Sequence, residues 1–225
     1  MLRNTFINLL GKINPTTKNI YNRIFRYNED RFATAMPVLI GLSSLLPVKK
    51  VLEFGSGFYS TSLFLNKSIF PDLIELTSYE NDLSWYNNVK SKIGDDNRIK
   101  LIYINCEMNS VVSKIKLSEY DLIFIDDSID SISRSETIKK VINQCDSQNI
   151  IVIHDYEIKR YRQASKGISH RFDFNAIFPN TGLVWDKKSI DKSILKKLNN
   201  LIYNNSRIIK ATDIDLWKQK FKNEL

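Results

Sequence analysis

The chain has 225 residues, 43% of them apolar and 11% aromatic, with seven Gly and five Pro, a balance that excludes a disordered or repetitive protein and leaves enough chain to bury a core without metal or disulfide staples. Its two cysteines, Cys106 and Cys145, lack metal-ligand spacing, so reduced thiols in a cytoplasmic protein are expected. The net charge of +8, from 33 Lys and Arg against 25 Asp and Glu, would assist encounter with a polyanion, an acidic sugar or an anionic membrane surface without choosing among them.

The first residues, MLRNTFINLLGKINP, hold too short an apolar run for a secretory signal, and no stretch approaches the roughly 20 apolar residues of a membrane span. Thr5 to Leu10 and Thr17 to Tyr27 read as short amphipathic helices that could cap the domain, cover a substrate or rest on a membrane surface. Glu29 to Leu46 reads as a longer helix that Pro37 should kink or split and Pro47 should close. Residues 1–47 are therefore expected to form a helical extension or cap, and 48–225 a single α/β domain.

From Val51 onward strands and helices alternate. The pattern predicts strands at 51–54, 74–80, 99–104, 121–126 and 149–154, and helices at 60–67, 82–92 and 134–145, with a short helix possible in the loop after the third strand. A helix near 156–165, a strand at 170–178, a turn at Pro179-Asn180-Thr181-Gly182, a strand at 183–186 and a helix over 190–203 complete the reading. The expectation is an α/β, doubly wound, mostly parallel seven-stranded Rossmann-like sheet ending in an antiparallel hairpin, with ligands gathered at the carboxyl ends of the strands.

Those strand ends carry Glu53, Glu80, Asn105 to Glu107, Asp126-Asp127 and His154-Asp155. A rim of acids around the loop Gly55-Ser56-Gly57, which opens a helix at Ser60-Thr61, points to a binding site for a nucleotide-like cofactor. Glu80 lies 23 residues beyond Gly57, at the end of the second strand, where a carboxylate can take both hydroxyls of a ribose. The alternative is that Glu80 caps the next helix, a role Asn81 or Asp82 could fill instead.

In the order of its motifs the sequence resembles the class I S-adenosylmethionine-dependent methyltransferases. VLEFGSG looks like their first motif, LTSYENDLSWYNNV like the second, YDLIFIDD like the fourth, NIIVIHDY like the fifth strand, and HRFDFNAIFPNTGLVWD like the reversed last strand. The likeness runs from about Leu45 to Trp185 and is nearest to a branch that includes small-molecule and sugar O-methyltransferases, with a fainter resemblance to plant glucuronoxylan O-methyltransferases in SRSETI and the His-Asp pair. It implies that Glu53, Gly55, Ser56 and Gly57, with Tyr59, Ser60 and Thr61 beside them, shape the pocket for the methionine portion. It further implies that Glu80 and Asn81 hold the ribose, that Cys106 or Glu107 faces the adenine, and that Asp126 meets the cofactor's amine or the acceptor. Tyr59 stands where many members have a third glycine.

A hydroxyl acceptor must lose its proton, and His154 is the candidate base, with Asp127 or Asp155 orienting it or acting in its place. Asp126 and Asp155, helped by Asp127, could also hold a Mg2+-like cation. Tyr156, Arg160 and Tyr161, within a run that also carries Lys159 and Arg162, suit an acidic sugar or a phosphorylated acceptor. A solvated helix explains the same run of residues. The competing functions are a nicotinamide oxidoreductase, against which Ser60 replaces the third glycine of Gly-x-Gly-x-x-Gly; a nucleic-acid or membrane-surface binder on this scaffold; and an RNA methyltransferase, for which no Asn-Pro-Pro-Tyr-type motif or RNA-binding module is present.

Overall fold

The computed structural model describes residues 31–128, 130–186 and 190–225. The two amphipathic helices expected before Tyr27 lie outside the described residues. Helices and strands are numbered here in chain order. After a single 3-10 turn at Arg31–Ala33 come α1 (Met36–Leu45), β1 (Lys50–Phe54), α2 (Ser60–Leu65), β2 (Glu75–Glu80), α3 (Leu83–Ile93), β3 (Ile99–Tyr103), α4 (Met108–Val112) and β4 (Leu122–Ile125). The chain continues through α5 (Ser131–Gln144), β5 (Ile150–His154), α6 (Lys159–Ala164), β6 (His170–Phe174), β7 (Thr181–Trp185), α7 (Lys192–Asn205) and α8 (Ile214–Glu224).

The strands form one seven-stranded sheet in the order β3-β2-β1-β4-β5-β7-β6. β1 to β5 run parallel, whereas β7 is antiparallel to both β5 and β6, so the architecture is the doubly wound sheet with a reversed last strand that the alternation predicts. The central strands are short apolar runs buried along their length, LIFI in β4 and IIVIH in β5, as expected for strands covered on both faces. Alternation divides their side chains between two cores. Val51, Leu122 or Phe124 meets α1, α2, α7 and α8 on one side, and Leu52, Phe54, Ile123 or Ile125 meets α4, α5 and α6 on the other.

Three departures from the expected elements have local causes. Pro37 does not kink a long helix but sits in the first turn of α1, where its missing N–H has no partner to lose. The link from β6 to β7 is not an Asn-Thr-Gly turn: β7 begins at Thr181, opposite Phe174. Gly182 lies inside that strand, and a Cβ there would stand 2.2 Å from Cγ of Tyr156, so its glycine serves close packing rather than a turn. Finally, α8 is a helix the pattern reading left out, although Trp217 and Phe221, four residues apart and buried, dock it beside α1.

Order reverses between β1 and β4, which makes the carboxyl ends of these two strands and of β2 the place where loops diverge and leave a crevice. The helices that follow are started by carboxylates. Asp82 accepts from the Trp85 amide at 2.8 Å to open α3, and Asp130 accepts from the Ser133 amide at 2.8 Å to open α5.

Candidate active site

A cavity of about 630 Å³ occupies that crevice, within the range of small-ligand pockets. Its wall is built from Gly55 to Ser60 after β1, from Glu80, Asn81, Asp82 and Trp85 after β2, from Asp126, Ser128, Asp130 and Arg134 after β4, and from Phe32. Gly55 has φ of +87°, and a Cβ there would stand 2.5 Å from the Asp126 carbonyl oxygen. Only glycine lets the β1 loop turn that tightly against the end of β4.

Glu80 is 6% exposed and is held from both sides. Its Oε2 accepts from the Ser56 amide and the Ser56 hydroxyl, each at 3.1 Å, and its Oε1 accepts from the amides of Asn81 and Asp82 at 2.8 and 2.9 Å. Burial raises its pKa above the ordinary carboxyl value, against the opposing pull of those donors. Helix capping falls to Asp82, so Glu80 is left to the cavity. Of its four donors only the Ser56 hydroxyl rotates freely, so a ligand hydroxyl can take its place on Oε2.

The loop is also tied to α3. The Trp85 indole N–H donates to the Ser56 carbonyl at 2.6 Å, its ring lies 4.5 Å from that of Phe58, and Lys92 Nζ stands 3.7 Å from the other ring centroid. Beneath the loop, Thr61 accepts from the Gly57 amide at 2.9 Å and donates to Glu53 Oε2 at 2.7 Å, and the Ser78 hydroxyl donates to the same oxygen at 2.6 Å. Glu53 has no exposed surface, and its Oε1 makes no hydrogen bond of good geometry among the described residues, although the Ser60 hydroxyl is close enough to act on the carboxylate. Burial pushes its pKa up to about 7, against the opposing pull of the Ser60, Ser78 and Thr61 hydroxyls. Glu53 and Thr61 thus support the loop from behind, while Gly55, Ser56, Gly57, Tyr59, Ser60, Glu80 and Asn81 reach the wall. Cys106 and Glu107 are exposed and are not part of that wall.

Of the three acids and one imidazole expected to do chemistry, Asp126, His154 and Asp155 come together and Asp127 does not. Asp127 turns away beneath α5, where its Oδ2 accepts from the Thr137 hydroxyl at 2.7 Å; burial pushes its pKa up to about 6. It does not orient His154, contrary to expectation. Asp126 does, with Oδ1 at 3.1 Å from His154 Nδ1. The other ring nitrogen, Nε2, lies 2.9 Å from the Thr34 hydroxyl, which donates to the Arg31 carbonyl at 3.1 Å and therefore accepts from Nε2–H. A carboxylate at one nitrogen and a hydroxyl at the other engage both sides of the His154 ring. Burial would lower its pKa, but the charge and hydrogen bond of Asp126, with Asp155, outweigh burial and raise it. Buried and doubly engaged, His154 is not placed to take a proton from an acceptor.

Arg134, in the first turn of α5, was not among the expected site residues. Its guanidinium bridges Asp126 Oδ1 at 2.9 Å and Asp155 Oδ2 at 2.8 Å and donates to the carbonyls of Asp127 and Ser128. A cation near a helix N-terminus opposes the helix dipole unless it is paired. That mismatch in S-I-S-R is the signal the sequence offered. Burial tends to raise the Asp126 pKa, but His154 and Arg134 together bring it below the usual carboxylate range.

One ligand atom each from Asp126, His154 and Asp155 falls within 4.8 Å of the others, the geometry behind the expected Mg2+-like ion. These residues do not fit it: both carboxylates are already engaged by the Arg134 guanidinium, whose NH1 lies 2.9 Å from Asp126 and 2.8 Å from Asp155 and brings a fixed positive charge to where the ion would sit. The expected acceptor residues also lie elsewhere. Tyr156 and Tyr161 are 3% and 1% exposed. Tyr156 bonds Ser165 at 2.8 Å, and the Tyr161 ring faces Arg134 at 5.5 Å. Arg160 and Lys159 are exposed on α6, and Arg162 donates to the carbonyls of Tyr156 and Glu157. None of these cations lines the cavity, whose charged groups are Glu80, Asp82, Asp126, Asp130 and Arg134.

No protein-family profile and no curated protein matches this sequence. Solved structures do match the fold. A protein from Staphylococcus aureus assigned as a caffeoyl-CoA O-methyltransferase superposes with a TM-score of 0.51 over 81% of this chain and 98% of its own, at 14% identity. Spermidine synthase from Thermotoga maritima gives 0.52 over 84% and 74%, at 15% identity. A spermidine synthase in complex with the transition-state analogue AdoDATO gives 0.53 over 85% and 76%, also at 15% identity. At such identities the likeness establishes a shared fold.

Proposed function

We propose that this chain is an S-adenosylmethionine-dependent methyltransferase acting on a hydroxyl of a sugar, glycan precursor or other small polar acceptor. The observation that carries this reading is Glu80, a buried carboxylate fixed by four donors on the wall of a cavity that opens against the Gly55–Gly57 loop, at the switch point of the sheet. That arrangement suits a ribose diol beside an adenosyl group, and the fold shared with a caffeoyl-CoA O-methyltransferase and with a synthase that binds AdoDATO supports it.

In this reading Gly55 to Ser60 hold the methionine portion and Glu80 with Asn81 the ribose. When bound, the cofactor supplies a methyl on a sulfonium whose departure needs no proton. Asp126, ionised and braced through Oδ1 by Arg134 and His154, offers Oδ2 to the acceptor hydroxyl: it accepts its hydrogen bond, aims its oxygen, and takes up its proton as the O–CH3 bond forms and the S–CH3 bond breaks. Orientation of this kind is worth up to about 7 to 11 kcal/mol in favourable cases. His154 is then a positioning residue for Asp126. With four carboxylates on the wall against one guanidinium, a neutral acceptor suits the cavity better than an acidic one. The same carboxylates favour a second reading, transfer to an amine, in keeping with the fold shared with spermidine synthases.

Calorimetric titration with S-adenosylmethionine and S-adenosylhomocysteine, with NADH as control, tests the cofactor. Binding of the first two alone is expected, with Glu80→Ala weakening it by roughly 10-fold or more, the worth of hydrogen bonds to a charged group. Equal affinity in the wild type and Glu80→Ala would overturn the pocket assignment. A transfer assay comparing neutral sugars with polyamines separates the two acceptor readings.

A further inference from the structure

Arg134 is the most heavily bonded side chain at the site. Its NH1 contacts both Asp126 and Asp155, its Nε and NH2 face the carbonyls of Asp126, Asp127 and Ser128, and only 6% of the side chain is exposed. Asp155 and Ser128 take positive φ, 56° and 54°, in the left-handed region that non-glycine residues seldom adopt. The backbone on both sides is therefore bent to present a carboxylate and a carbonyl to this one cation.

We infer that Arg134 takes, within its own chain, the place of a divalent metal: it holds Asp126 and Asp155 together where an ion bound by Asp126, His154 and Asp155 would otherwise stand. The charge it supplies is permanent, so the geometry of Asp126 is set without any dependence on metal supply. Removing the guanidinium leaves two carboxylates and an imidazole whose ligand atoms lie within 4.8 Å of one another, with a vacated volume beside them. Such a set of oxygen and nitrogen ligands suits Mn2+. The inference does not depend on methyl transfer, because its test reads metal binding.

The test is titration of Mn2+ into the full chain, followed by electron paramagnetic resonance of the free ion, with thermal melting in parallel. The wild type is expected to bind no stoichiometric Mn2+ and to melt at the same temperature with or without it. Arg134→Ala should bind one ion per chain where the wild type binds none, and should recover part of its lost melting temperature when Mn2+ is added. Arg134→Lys, which keeps a cation, should bind none, and Asp126→Asn in the Arg134→Ala background should abolish the gain. A merely structural arginine would lower the melting temperature without creating a metal site. Stoichiometric Mn2+ on the wild type, or none on a folded Arg134→Ala chain, overturns the inference. If Arg134→Ala does not fold, Arg134→Met keeps the aliphatic stem and carries the same test, and the wild-type titration still decides.

Discussion

Glu53→Gln should stabilise this protein in a way that grows with pH. The carboxyl is fully buried, with one oxygen carrying the bonds from Thr61 and Ser78 and with the Ser60 hydroxyl also acting on it. Burial carries its pKa from 4.5 to about 7. Below 4.5 the group is protonated in both the folded and unfolded chain and costs nothing. As pH rises through the window from 4.5 to about 7, the unfolded chain releases the proton first, so folding stability falls. Above that window the folded chain carries a buried charge, and the accumulated loss is about 3 kcal/mol. Glutamine can accept the same two hydroxyl bonds through its carbonyl and cannot ionise. Urea unfolding of both proteins should therefore show the variant gaining about 1 kcal/mol or less at pH 5 and about 3 kcal/mol at pH 8. Asp127 has a similar dependence, but its window closes near its own pKa of about 6, so the change between pH 6 and 8 reports mainly Glu53. A difference that does not vary with pH, or a variant less stable than the wild type at pH 8, would refute the assignment of a buried, destabilised carboxylate.

Two glycines give sharper structural tests. Gly55→Ala places a Cβ 2.5 Å from the Asp126 carbonyl oxygen at a φ of +87°, so it should cost about 2 kcal/mol or more and weaken S-adenosylhomocysteine binding, as denaturant unfolding and calorimetry would register; unchanged affinity would separate the loop from the pocket. Gly182→Ala drives a Cβ to 2.2 Å from Cγ of Tyr156, at the root of a ring that cannot swing aside. Overpacking by about 1 to 3 kcal/mol should lower the melting temperature by several degrees, and a melt indistinguishable from the wild type would return Gly182 to a turn-like role.

What the sequence determined is the framework. Runs such as LIFI and IIVIH have no polar side to show water, so they become strands covered on both faces, and their alternation with amphipathic helices makes the sheet parallel and doubly wound. Gly-Ser-Gly after β1 and the acid ending β2 mark the switch-point crevice for the same local reasons. The tertiary structure decided which of these groups can act. Asp126 and Asp127 are adjacent letters, yet the period of two sends one to the cavity and the other to Thr137 beneath α5. His154 looks like a free base in the sequence, but Thr34, 120 residues away, occupies its second nitrogen. Arg134 reads as one cation among 33, and only its reach across the loop after β4 to Asp155, 21 residues on, makes it the centre of the site. Local pattern fixes where a strand ends and what stands there. The protonation, charge and freedom of that group depend on partners brought to it from elsewhere in the chain.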